Sequence, residues 1–252
     1  MATGEGSTSD AGPVPVPRVR ALVVDDEPVL VRVVSAYLER EGFDVTTAAD
    51  GNEALRLARE IRPDVVVLDW MMPGIDGIEV CRQLRTFSDA YVIMLTARSE
   101  EIDTLVGLSV GADDYMSKPF SSRVLVARIR SMMRRPRTAG AIAGMAAPAD
   151  AEPLRRFGEL AIDPEAREVW LGDQLVALTP IEFDLLEVLS SRPGTVFSRA
   201  RLIERVWGPG WFGEERVVDI HLGHVRHKLG DDVAAPRYVR TVRGVGYRIG
   251  PG

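Results

Sequence analysis

Between residues 18 and 135, short apolar runs alternate with stretches of helical period. The runs are Ala21 to Val24, Val45 to Ala48, Val65 to Leu68, Tyr91 to Leu95 and, more weakly, Asp113 to Met116. Those at 21–24, 65–68 and 91–95 are apolar at consecutive positions rather than at every second one, the mark of strands covered on both faces. Helical patterns near 27–41, 52–61, 76–86, 99–109 and 121–134 lie between them. Five such units predict an α/β, doubly wound, five-stranded parallel sheet with helices on each side.

Residues 154–252 follow a different rhythm, so there is no internal repeat. LRRFGELAID and REVWLGDQLVAL alternate like short strands, and three helical patterns follow, with start signals at Thr179-Pro180 and Ser198. The closing YVRTVRGVGYRI reads as a hairpin around Gly244 and Gly246. Strands, three helices and a hairpin are the order of an α+β winged helix. Two stretches lack any pattern: residues 1–17, a flexible N-terminal tail, and 136–153, an Ala/Gly/Pro-rich interdomain linker. The expected organisation is therefore tail, first domain 18–135, linker and second domain 154–252.

Composition narrows the picture. A single cysteine, Cys81, excludes an internal disulfide and a multi-cysteine zinc knuckle. No apolar run reaches the roughly 18 residues of a membrane span, so a cytoplasmic protein is expected. The net charge of −6 argues at first against nucleic acid. Its distribution reverses that inference: 18–135 carries 16 basic against 19 acidic groups, 153–193 carries 4 against 8, and 194–252 carries 10 against 6. Positive charge is concentrated in the last third.

Chemistry in an open parallel sheet gathers beyond the carboxyl ends of the strands. There the pattern puts Asp25 and Asp26, then Asp69, Thr96 and Lys118. Any one of these is commonly a turn former, but the convergence of three carboxylates, a hydroxyl and an ammonium is a phosphoryl-transfer set. Close carboxylates repel unless a cation intervenes, and hard oxygen ligands suit Mg²⁺. A carboxylate also serves as a nucleophile toward phosphorus. Only two lysines, Lys118 and Lys228, occur beside 29 arginines, so a compact point charge is kept at this rim.

The motifs VDD (24–26), LDWMMPGIDG (68–77), TA (96–97) and KPF (118–120) resemble the flavodoxin-like, CheY-like receiver domain of two-component response regulators. The resemblance implies that Asp69 accepts a phosphoryl group from a sensor histidine kinase. It implies that Asp25, Asp26, Asp69 and the Met71 carbonyl hold Mg²⁺, that Thr96 and Lys118 contact the phosphoryl group, and that Lys118-Pro119 is cis. Thr96 and Tyr115 match the family's switch pair; without the motif Tyr115 reads as an ordinary half-buried strand tyrosine. The family's dimer face maps to Leu105, Leu108, Asp114, Val126, Arg128 and Arg130. Thr104, Ser109 and Val124 stand where relatives carry charges, which points to a weaker dimer or to a more apolar face.

In the last third, Val218, Leu222, Val225 and Leu229 form a stripe that packs on the core. The opposite face carries Arg216, Ile220, Gly223, His224 and His227, with Asp219, His221 and Arg226 on the flanks. That face suits either a major groove or plain solvent. Histidines at a spacing of three also suit a metal, but no cysteine or carboxylate cluster stands near them in the sequence. LTPIEFDLLEVL, SRARLIERVWG, RVVDIHLGHVRHKLG and YVRTVRGVGYRI resemble the winged-helix effector domain of the OmpR/PhoB class. By that resemblance Asp219, Ile220 and His224 face bases; Trp207, Arg216, His221, Arg226 and Thr241 meet phosphates; and Arg243 on the wing enters the minor groove of promoter DNA. Gly223 and His224 replace a basic pair common in relatives. The loop 208–215 is the implied contact with RNA polymerase, with Trp211 and Phe212 either exposed or packed inward.

The expected function is a transcription factor that dimerises on phosphorylation at Asp69. Two rivals are a phosphatase using Asp69 as nucleophile, disfavoured by the lack of a substrate cap, and a regulator working without phosphate, disfavoured by the complete rim set.

Overall fold

The computed structural model describes residues 18–97, 110–133, 153–211 and 215–252. The tail 1–17, nearly all of the linker 136–153, the helical pattern at 99–109 with Leu105 and Leu108, and Phe212 lie outside the described residues.

Five parallel strands, β1 (Arg20–Val24), β2 (Asp44–Ala48), β3 (Val65–Asp69), β4 (Tyr91–Thr96) and β5 (Asp114–Ser117), form one sheet in the order β2-β1-β3-β4-β5. Every residue of β3 and β4 is buried, as their unbroken apolar runs require. Parallel registers such as Val24↔Leu68 and Asp69↔Leu95 align the strands' carboxyl ends on one rim. Around the sheet lie α1 (Pro28–Arg40), α2 (Gly51–Ile61), α3 (Gly77–Leu84) and α4 (Ser122–Met133). Asp50 and Asp76 cap α2 and α3 by accepting from Glu53 N and Glu79 N, and Pro28 opens α1.

The second unit begins with a four-stranded antiparallel sheet, β6 (Arg155–Phe157), β7 (Leu160–Asp163), β8 (Glu168–Leu171) and β9 (Gln174–Leu175). Three helices follow, α5 (Pro180–Ser191), α6 (Arg199–Val206) and α7 (Arg216–Lys228), and a hairpin of β10 (Val239–Val242) and β11 (Gly246–Ile249) closes the chain. Thr179 and Glu182 form a reciprocal capping box on α5, and Ser198 caps α6. The predicted stripe Val218, Leu222, Val225 and Leu229 is buried. Gly246 is dictated by packing, because a Cβ there would sit 1.9 Å from the Phe197 carbonyl oxygen.

Candidate functional site

Strand ends and one turn build the acidic rim. Asp25 follows β1, Asp69 ends β3, Thr96 ends β4 and Lys118 follows β5. The Lys118 ammonium reaches across the cleft, donating to Asp25 Oδ2 at 2.8 Å and lying 2.8 Å from Asp69 Oδ1 and 3.3 Å from Glu27 Oε1. Asp69 is almost covered, and its Oδ2 accepts from Met71 N at 3.1 Å. Burial lifts its carboxyl above the ordinary range; the Lys118 hydrogen bond opposes that shift, while the charges of Asp25 and Asp26 add to it. Burial also works against the Lys118 charge, but hydrogen bonds to Asp25 and Asp69 hold its ammonium above the usual value. One oxygen from each of Asp25, Asp26 and Asp69 lies within 4.8 Å of the others. Three carboxylates beside a single ammonium leave excess negative charge, and oxygen-only donors fit a hard divalent cation. The peptide Lys118-Pro119 is cis.

Gly77 was not singled out from the sequence, yet it sets the rim's floor. A Cβ there would lie 2.1 Å from the Asp69 carbonyl oxygen, so only glycine lets α3 begin against the end of β3.

In the second unit, α7 exposes Arg216 and leaves Ile220 and His224 partly open, while Arg243 and Thr241 are exposed on the hairpin. Asp219 accepts from Arg199 Nε and from the Tyr247 hydroxyl, both at 2.7 Å. Burial and that carboxylate together push the tyrosine up to about 12. Arg226 departs from the expected phosphate contact. Its guanidinium is buried and donates to the Val239 carbonyl at 2.7 and 2.9 Å and to Thr241 Oγ1 at 2.7 Å, tying α7 to β10.

Residues 21–130 match the family model described as the response regulator receiver domain, and 172–249 match that of the transcriptional regulatory protein C terminal. The chain is 46% identical over 92% of its length to the transcriptional regulatory protein CseB of Streptomyces avermitilis, covering 98% of that protein. It is 43% identical over 93% to the DNA-binding response regulator MtrA of Mycolicibacterium smegmatis, covering 98% of it. The chain belongs to the OmpR/PhoB class of two-component response regulators. This response regulator joins a receiver to a DNA-binding transcriptional regulatory domain. A solved structure of a RitR variant, 27% identical, aligns over 93% of this chain and all of its own with a TM-score of 0.71.

The response regulator's two domains meet across β5 and α4. Just before β5, Asp113 is fully buried and pairs with Arg85 at 2.6 Å; the same Asp113 oxygen accepts from Val92 N at 2.8 Å. Next to it, Asp114 pairs with Arg128 at 3.0 and 3.1 Å, and the Arg128 guanidinium also donates to the Tyr115 carbonyl. The effector domain closes over these pairs. Trp211 donates from Nε1 to Asp114 Oδ2 at 3.3 Å and lies under the Arg128 guanidinium, 5.4 Å from its ring centroid. His221 Nε2 lies 3.3 Å from the Asp113 carbonyl oxygen, and Ser131 on α4 donates to the Trp207 carbonyl.

This contact relocates several residues read from the sequence. Trp207 and His221, expected at phosphates, are buried at the domain junction. Trp211 packs inward against the receiver rather than standing free. Asp114 and Arg128 satisfy each other within one chain, Val126 is buried, and Arg130 turns to Glu41 beside α1. Tyr115 is half-buried on β5. The Arg85–Asp113 pair had no sequence signal beyond an arginine and an aspartate 28 residues apart.

Proposed function

We propose that this regulator accepts a phosphoryl group on Asp69 from the phosphohistidine of a sensor kinase, and that the modification frees the effector domain to dimerise on promoter DNA. The observation that carries the reading is the Lys118 ammonium bridging Asp25 and Asp69 at 2.8 Å on each side. An Asp69 carboxylate oxygen forms the new bond to phosphorus as the bond to the kinase imidazole breaks, and the electron pair leaves with that nitrogen. Lys118 then passes from Asp69 to a phosphoryl oxygen while keeping Asp25. The Thr96 hydroxyl, on the same rim, donates to a second oxygen, and the Met71 amide already aimed at Asp69 steadies the acceptor. Asp25, Asp26, Asp69 and the Met71 carbonyl would hold Mg²⁺, which supplies charge neutralisation of the phosphoryl oxygens. Beyond this self-modification no turnover is assigned.

The added charge of about −1.5 to −2 needs an element that responds to it. Thr96 and Tyr115 sit on neighbouring strands β4 and β5, and β5 carries the effector contact. A receiver face engaged by Trp211 is not free for a second receiver, so effector docking and dimerisation through Asp114, Val126, Arg128 and the segment of Leu105 and Leu108 exclude each other. Released, α7 would present Asp219, Ile220 and His224 to bases, with Arg216 and Thr241 at phosphates, Arg243 in the minor groove and loop 208–215 toward RNA polymerase. Trp207, His221 and Arg226 support that surface from beneath. Among the described residues no helix is long and apolar enough to cross a membrane, in keeping with a cytoplasmic regulator. The reading is tested with labelled acetyl phosphate and Mg²⁺: wild type takes up about one phosphoryl group per chain and Asp69→Ala takes up none. Equal labelling of both would refute it.

A further inference from the structure

Asp219, the carboxylate nearest the α7 histidines in the chain, is taken up by Arg199 and Tyr247, but the fold supplies another. Glu182, buried on α5, faces His221 and His224 one turn apart on α7, and one ligating atom from each lies within 4.8 Å of the others. Two features of this cluster go beyond proximity. His221 Nε2 approaches the Asp113 carbonyl, an obligate acceptor, so the ring proton sits on Nε2 and Nδ1 is a bare lone pair. That Nδ1 is buried, in a side chain 1% exposed, and has no hydrogen-bond partner among the described residues. An orphaned imidazole nitrogen is costly unless something is meant to meet it. On the facing helix, Glu182 Oε2 accepts from Thr179 N at 2.8 Å and Lys228 Nζ at 2.6 Å, which leaves Oε1 turned toward His224 Nδ1 at 3.5 Å.

We propose that Glu182 Oε1, His221 Nδ1 and His224 Nδ1 bind a first-row transition-metal ion of the Zn²⁺ class, with water completing the coordination. Two imidazoles and one carboxylate suit such an ion and not Mg²⁺ or Ca²⁺. Its bonds of about 2.0–2.2 Å put neighbouring ligand atoms roughly 3.3 Å apart, so the cluster contracts by about 1.5 Å at most. His224, 24% exposed, has the freedom to make that move. A groove between the domains, lined by Gly111, Thr179, Glu182, His224, His227 and Lys228, opens onto the cluster and provides entry. The other charges facing it are already matched: Arg85 by Asp113, and Lys228 by the far oxygen of Glu182.

All three ligands belong to the effector domain, yet His221 also makes the receiver contact. A metal on Nδ1 sharpens the Nε2–H donor aimed at Asp113 and so tightens docking. This consequence rests on the regulatory reading above: the metal-loaded chain is the docked, DNA-silent form.

The test is a Co²⁺ titration of the full chain in excess Mg²⁺, which keeps the acidic rim occupied. One Co²⁺ per chain is expected, with visible ligand-field bands and micromolar affinity. His221→Gln and His224→Gln should each weaken binding at least tenfold, and His227→Gln should not. Absence of bands in the wild type, wild-type affinity in both Gln variants, or loss of binding in His227→Gln would overturn the proposal. Circular dichroism checks folding, and His224→Gln, at a partly open position, keeps the test alive if the buried His221 variant unfolds. Acetyl phosphate labelling of the same samples reports separately on the regulatory reading. Its failure would leave the Co²⁺ result standing.

Discussion

At the strand-end rim a single lysine serves Asp25, Glu27 and Asp69, whereas along β5 each buried carboxylate has its own arginine, Arg85 for Asp113 and Arg128 for Asp114. The rim is left short of positive charge and open to solvent at Asp26, so a cation or phosphoryl group bound there would change its charge balance. The β5 pairs are closed and matched, so they hold shape. A switch needs both kinds of cluster: one that responds to charge and one rigid enough to carry the response to a partner surface.

The largest expected effect comes from unbalancing the matched cluster. Asp113→Ala leaves Arg85 buried without its partner and should destabilise the receiver by about 3–5 kcal/mol in urea melts; a loss below about 1 kcal/mol would mean the pair is not structural. Adding charge to the unmatched cluster should do the opposite. Mg²⁺ at about 100 times its Kd should stabilise wild type by about 2.7 kcal/mol. Asp26→Asn, at an exposed position, should lose most of that gain while its metal-free stability stays within about 0.5 kcal/mol of wild type.

Smaller effects probe the link between the clusters. Trp211→Ala removes the aromatic that covers Asp114 and Arg128, and should raise the affinity of the unphosphorylated chain for a random-sequence 30-base-pair duplex about tenfold, or roughly 1.4 kcal/mol. Unchanged affinity would mean that docking does not restrain DNA binding. The smallest effect is at the wing: Arg243→Ala should reduce the slope of log K against log salt by about 1 on that same duplex.

How much of this was readable beforehand follows from the range of each interaction. The parallel sheet and its rim were legible because apolar runs report two-sided burial and place Asp25, Asp69, Thr96 and Lys118 at strand ends, whatever packs elsewhere. Helix starts at Thr179 and Ser198 were legible because caps act over three residues. The stripe on α7 was legible too, but periodicity says only which face is covered and not by what. Hence Arg226 looked like a phosphate ligand until its reach to Val239 was seen, and His221 looked exposed until the receiver closed over it. Glu182 was not singled out, because its pairing with Lys228 and His224 spans more than 40 positions. Asp231, buried and accepting from the amides of Arg237, Tyr238 and Val239, orders the approach to β10 with no pattern to announce it.

The central claim is that charge at Asp69 governs whether the effector domain stays docked on β5. Hydrogen exchange with and without beryllofluoride and Mg²⁺ tests it most directly, read at the amides of residues 113–117 and of α7. Wild type should lose protection in both segments when the phosphoryl mimic binds, and Asp69→Ala should not change. Protection that is unaltered in wild type, or lost equally in Asp69→Ala, would contradict the claim.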